Sequence, residues 1–155
     1  MVELVDILRP DNVLLDLDAG SKRGLLHELA EHLGESEDDV RAIYESLMER
    51  ERLGSTGVGR GIAIPHAVVP GVARLIALFA RLNPPIEFDA VDDRPVDLVF
   101  LLLSPDAGGS EHLKALARVA RLLHAGDTAD ELRRLKDPAA VHKVLVTRQP
   151  TSHAA

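Results

Sequence analysis

Residues 54–68, GSTGVGRGIAIPHAV, place four glycines, a Ser-Thr pair and a histidine in one short stretch before an apolar strand pattern resumes. Glycines at this density let a chain turn tightly and bring its N–H groups close to a ligand. A histidine directly after Pro65 lies on a segment whose φ is partly fixed. His66 also ends a short apolar run, Ile62-Ala63-Ile64-Pro65. Together these residues suit an anion handled beside a nucleophile. The plain alternative is a turn followed by a half-buried strand histidine.

His112 shifts that balance. It lies two residues past Ser110, the expected cap of a helix, where unpaired backbone N–H groups and the helix dipole favour an anion and a neutral imidazole. Two imidazoles could flank one phosphoryl group. A zinc site from the same pair has neither a His-Glu-x-x-His pattern nor an obvious third ligand, so no metal is expected. Nucleotide binding is also disfavoured: Gly57, Gly59 and Gly61 follow a helix and precede a strand, the reverse of a dinucleotide fingerprint, and no Gly-Lys-Ser/Thr occurs. His27, His32, His124 and His142 fall in helices beside polar neighbours and His153 near the C-terminus, so they read as surface residues. Asp92-Asp93 and Glu37-Asp38-Asp39 read as turn and cap carboxylates.

The elements that must position these residues follow from periodicity and punctuation. Asn12–Leu17 alternates weakly and predicts a strand. Ser21 caps a helix carrying Leu25, Leu26, Leu29 and Leu33, with Gly34 as its stop. Ser36 with Asp39 has the form of a capping box and opens a helix to about Arg52 that buries Val40, Ile43, Leu47 and Met48. Strands are predicted at Gly61–Ala67, at Arg74–Leu82 up to the break Asn83-Pro84-Pro85, and at Pro95–Leu103. The last is almost continuously apolar, as a central strand covered on both faces should be. Ser104–Gly109 reads as a loop. Ser110 then caps a helix with Leu113, Leu116, Ala117, Ala120 and Leu123 on one face. Thr128 with Glu131 forms another capping box, and Asp137-Pro138 starts a last helix. Helices and strands interleave throughout, which means α/β.

The chain has 155 residues, 46% hydrophobic and 28% charged, enough for one globular domain with its own core. Residues 1–148 read as that domain and 149–155 as a flexible tail. A net charge of −7, one Tyr and no Trp argue against nucleic acid and against acidic lipid surfaces. No stretch approaches the roughly 18 apolar residues of a membrane span. Glu3 and Asp6 stand where a secretory signal needs basic residues, so a cytoplasmic protein is expected. The absence of cysteine removes disulfides, zinc–thiolate sites and thiol catalysis together.

RERLGSTGVGRGIAIPHA, with EHLKALARVA downstream, closely resembles the IIA components of the bacterial phosphoenolpyruvate phosphotransferase system, fructose/mannitol class, and above all their stand-alone nitrogen-regulatory branch. The resemblance runs from about Leu4 to Val146. It implies that His66 is phosphorylated, that His112 is the second active-site histidine and that Arg50 faces the phosphate. Ser55, Thr56 and Gly57 would supply hydroxyl and backbone donors near the phosphoryl group. Ala67 stands where the family often has glycine. The implied fold is a single-domain, three-layer α/β/α sandwich around a mixed central sheet.

Transfer between nitrogen nucleophiles passes through a loose state whose charge rests on the equatorial oxygens, so alignment and neutralisation suffice and no cofactor is expected. The implied donor is an HPr-like phosphocarrier protein. In sugar transport of this class the acceptor is a cysteine of a IIB protein, which this chain lacks. The expectation is therefore a regulatory phosphocarrier acting on targets such as transporters and sensor kinases. The alternatives are a sugar-specific IIA component with separate IIB and membrane chains, and a binding module of the same fold that is not phosphorylated.

Overall fold

A computed structural model describes residues 3–105 and 110–148. In chain order the elements are α1 (Leu4–Ile7), β1 (Leu8–Leu17), α2 (Lys22–Leu33), α3 (Glu37–Arg52), β2 (Gly57–Gly59), β3 (Ile62–Ala63), β4 (His66–Val68), β5 (Ile76–Ile86), β6 (Val96–Ser104), α4 (Ser110–His124), α5 (Thr128–Arg134) and α6 (Pro138–Thr147). The strands form one mixed sheet in the order β1-β5-β6-β3-β2, with β4 also paired to β6. β1 runs parallel to β5, β5 antiparallel to β6, and both β3 and β4 parallel to β6.

β6 explains the layering. Its residues alternate between faces, so Val99, Leu101 and Leu103 join one apolar cluster with Leu25, Leu29, Ile43 and Leu47 of α2 and α3. Leu98, Phe100 and Leu102 join another with Val119, Leu122, Leu132, Val141 and Leu145 of α4, α5 and α6. Each fully buried Leu or Phe contributes roughly 1.5–3 kcal/mol of transfer free energy. The result is the α/β/α sandwich that was expected.

Helix ends agree where the cap acts locally. Ser21 Oγ accepts from the Gly24 N–H at 3.0 Å, and Asp137 caps α6 by accepting from the Ala139 N–H at 3.1 Å. Ser36 Oγ accepts from the Asp39 N–H at 3.1 Å, yet the Asp39 carboxylate accepts from Glu35 N–H, one residue before the expected reciprocal partner. Two expected caps are displaced. Ser110 and Thr128 are the first helical residues, and Asp127, which precedes Thr128, makes no side-chain cap bond. Thr128 Oγ1 and the Glu131 carboxylate both accept from Arg148 instead, because the end of α6 brings a guanidinium to them.

The strands differ more. The predicted strand Gly61–Ala67 is two, β3 and β4, interrupted at Ile64-Pro65. Ile64 N–H bonds the Thr56 carbonyl at 3.0 Å, and Pro65, with no donor, contributes only its carbonyl to the Leu102 N–H at 2.9 Å. β5 runs on through Asn83-Pro84-Pro85, whose peptide 83–84 is cis. Those residues are exposed and the β6 register skips from Arg81 to Ile86, so no ladder donor is lost. α1 is too short to show periodicity, and β1 begins four residues before the expected Asn12. The α4 face is rotated: Leu113 is 65% exposed and Ala117 is exposed, whereas Ala115, Val119, Leu122 and Leu123 are buried. Ser104 belongs to β6, while residues 106–109 of the expected loop and the expected tail 149–155 lie outside the described residues.

Candidate functional site

β4 presents His66 at its first residue, opposite Leu102 of β6. His66 Nδ1 lies 2.8 Å from the Ile64 carbonyl, which can only accept, so Nδ1 carries the proton. The lone pair is then on Nε2, and Arg50 Nε–H donates to it at 3.3 Å. Arg50 reaches the site from the last turn of α3 and also donates from Nη1 to the Gly54 carbonyl at 2.9 Å. One guanidinium therefore ties the glycine turn to the imidazole.

The rotation of α4 delivers His112. At spacings of three, four and seven residues, Ala115, Leu116 and Val119 define the inward stripe, and His112 begins it. Its ring centroid lies 5.8 Å from that of His66, with the planes tilted by 54°. His112 Nδ1 is buried with no hydrogen-bond partner among the described residues. His66, His112 and Arg50, the three residues expected to carry the chemistry, are thus brought together.

Ser55, Thr56 and Gly57 are arranged differently from the expected donor set. Ser55 Oγ donates to the Phe88 carbonyl at 2.7 Å and accepts the Gly57 N–H at 3.0 Å. Thr56 is buried, with its hydroxyl and N–H both given to the Glu51 carboxylate. All three build the turn, because burial demands a partner for each polar group. A Cβ on Gly57 would stand 2.8 Å from that of Ala90, so the turn packs closer than any other residue permits. At the hairpin after β2, Arg60 and Gly61 both take positive φ, and Asp92 accepts the Arg60 N–H.

Sequence reasoning missed Glu51 and Lys22. Lys22 Nζ lies 2.8 Å from Glu51 Oε1, and the Glu51 side chain is 3% exposed. A clue was available: an acidic residue in the last turn of a helix faces the negative end of the dipole and needs a specific partner. Among the other histidines, His27 and His32 are exposed as expected. His124 and His142 are half-buried, bonded to the carbonyls of Ala120 and Leu8 at 2.9 and 2.8 Å. Among the described residues no group of His, Cys, Asp or Glu is arranged to hold a metal, and no helix is long and apolar enough to cross a membrane.

Burial pushes the His66 pKa below its usual 6.5, and the positive charges of Arg50 and His112 add to the effect, against the upward pull of the Ile64 carbonyl and Glu51. His112 is lowered by burial as well. The unfolded chain therefore binds protons near pH 6.5 while the fold still resists them, so this share of the stability is complete above 6.5 and is lost as pH falls below it. We expect urea midpoints to drop between about pH 7 and about pH 5.5, and the double variant His66→Gln/His112→Gln to lose less over that window. Equal losses would show that other groups dominate.

The family described as the phosphoenolpyruvate-dependent sugar phosphotransferase system, EIIA 2, matches residues 6–147. The nitrogen regulatory protein of Bradyrhizobium diazoefficiens is 45% identical over 150 residues, covering 96% of this chain and 98% of that protein. A fructose-specific EIIA component of the phosphotransferase system from Haloferax volcanii is 42% identical over 108 residues, 70% of each chain. The crystal structure of the nitrogen regulatory protein IIA-Ntr from Neisseria meningitidis superposes with a TM-score of 0.86 at 36% identity, covering 92% of this chain and 98% of that one. The chain belongs to the EIIA 2 family of the phosphotransferase system, with nitrogen regulatory proteins among its full-length relatives.

Proposed function

We propose that this protein is a cytoplasmic phosphohistidine carrier of the nitrogen-regulatory kind, loaded on His66 by an HPr-like phosphocarrier protein. The observation that carries this reading is the Arg50–His66–His112 cluster, in which one imidazole has its tautomer fixed by a carbonyl, a guanidinium at its lone pair and a second imidazole 5.8 Å away. The Nε2 lone pair forms the new N–P bond as the donor's N–P bond breaks. The donor imidazole keeps that electron pair and takes a proton from solvent. As positive charge grows on the His66 ring, the Nδ1–H bond to the Ile64 carbonyl strengthens.

Arg50 Nε occupies the nitrogen that must attack, so the guanidinium has to move off Nε2 and onto the phosphoryl oxygens as the donor enters. Its planar fork suits those oxygens. His112 begins the inward stripe of α4, where backbone N–H groups of the first turn favour an anion. The test is incubation with phosphorylated HPr-like carrier, followed by phosphopeptide mapping. Label on His66, labile in acid and stable in alkali, is expected, and label elsewhere or none defeats the reading.

The fructose-specific relative favours a second reading, delivery to a IIB cysteine. Rapid discharge onto a IIB protein of the same cell would select it over regulation. In either case His112→Ala should still become labelled, about tenfold more slowly, whereas His112→Gln, which keeps a hydrogen-bond donor, should recover part of the rate. Label appearing on His112 in place of His66 would reverse the two roles.

A further inference from the structure

Glu51 and Lys22 touch none of the Arg50, His66 and His112 side chains, and Glu51 acts on His66 only through its charge, yet the two hold the piece of chain on which that cluster depends. The Glu51 carboxylate accepts both the N–H and the hydroxyl of Thr56 and pairs with Lys22 Nζ at 2.8 Å. Lys22, at the start of α2, also lies 4.6 Å over the Phe88 ring, and Phe88 supplies the carbonyl that anchors Ser55. Arg50, the residue before Glu51, grips the same turn from its other end through the Gly54 carbonyl while touching His66 Nε2. Two adjacent side chains at the end of α3 thus fix both ends of residues 54–56.

A buried carboxylate at a helix C-terminus opposes the dipole and loses hydration, and replacing a buried ion pair with apolar residues is often neutral for stability. Its presence here is better explained by geometry than by stability. Any slackening at Thr56 would shift the Gly54 carbonyl and, with it, the guanidinium that Gly54 holds. Phosphoryl transfer is sensitive to such shifts, since a displacement of ~1 Å can cost about a hundredfold in rate.

We propose that Lys22 and Glu51 are positioning residues for phosphoryl transfer, an internal ion pair that clamps the 54–56 turn to α3 and so sets where Arg50 stands relative to His66. The proposal rests on the reading of His66 as the phosphoryl acceptor. The Glu51 and Lys22 side chains are only 3% and 18% exposed, so neither offers a surface to a donor protein.

The test uses two donors, phosphorylated HPr-like carrier and potassium phosphoramidate, with all variants held at a temperature where circular dichroism shows them folded. Glu51→Gln, and Lys22→Met, which keeps an unbranched stem over Phe88, should lower the saturating rate of His66 labelling about ten- to a hundredfold with both donors, at unchanged half-saturating concentration. Lys22→Arg should retain most of the rate. Thr56→Val, which removes only the hydroxyl bond, should lower it about threefold and serves where the ion-pair variants do not fold. Folded variants that label at the unsubstituted rate would overturn the proposal, as would a loss confined to the half-saturation for the protein donor. If the unsubstituted protein takes no label on His66 from either donor, the carrier reading itself is wrong and the proposal falls with it.

Discussion

His66→Ala should abolish phosphoryl acceptance, by at least about a thousandfold, because it removes a nitrogen whose lone pair is freed by its tautomer and faced by a guanidinium. The same change should cost only ~1–2 kcal/mol of stability, since His66 is half-buried and makes two hydrogen bonds. The disparity between the two effects is the informative result. His66→Gln is the sharper control: its amide keeps a donor and an acceptor but no nucleophile. Labelling of either variant at the normal rate, with phosphorylated carrier as donor and mapping by mass spectrometry, would remove His66 from the mechanism.

Arg50 should give the next largest effect. Arg50→Ala takes away the guanidinium that would neutralise charge on the equatorial oxygens, and transfer should slow about ten- to a thousandfold. Arg50→Lys should recover only part of this, because a point charge lacks the fork. A second readout separates catalysis from packing. Without the Arg50 charge one of the influences lowering the His66 pKa disappears, so the imidazole should titrate at higher pH in Arg50→Ala, visible by NMR of the ring nitrogens. Loss of the bond to the Gly54 carbonyl should cost about 1 kcal/mol. A fall in stability large enough to account for the fall in rate, with an unmoved His66 titration, would make Arg50 structural.

The resting contact between Arg50 and Nε2 links these results to pH. Burial, helped by the guanidinium, holds the ring's pKa below its usual 6.5, so a nucleophilic role for Nε2 would extend into mildly acidic conditions. Acceptance should therefore persist as pH falls through 6.5 and fail only near the depressed value of the folded protein. In Arg50→Ala the same limb of the profile should move upward.

Three helix starts are legible locally. The starts of α2, α3 and α6 follow from Ser21, Ser36 and Asp137, because a cap is a contact within three residues and its chemistry is complete in the local sequence. The continuous apolar run of β6 fixed a central strand with both faces covered, and interleaved helices and strands fixed the α/β class. The sequence suggests the histidine after the glycines and the histidine near the start of α4 as flanks of one anion, family resemblance adds Arg50, and the structure brings the three side chains together.

Tertiary structure decided the rest. The break at Ile64-Pro65 is set by Thr56 and Leu102, which take the bonds a continuous strand would have needed. Two apolar stripes on α4 share Leu116 and Leu123, and packing against β6 selects the one with Ala115, Val119 and Leu122, which turns His112 inward and leaves Leu113 in solvent. The resemblance implies Ser55, Thr56 and Gly57 as phosphate donors, and in the fold their donors bond the Phe88 carbonyl, the Glu51 carboxylate and Ser55 Oγ respectively. The Lys22–Glu51 pair joins residues 29 positions apart on consecutive helices, and no local pattern encodes such a bond. Backbone sterics and capping act over one turn and are legible in sequence, whereas the direction of a side chain depends on sheet register and helix rotation, which only the packed core determines.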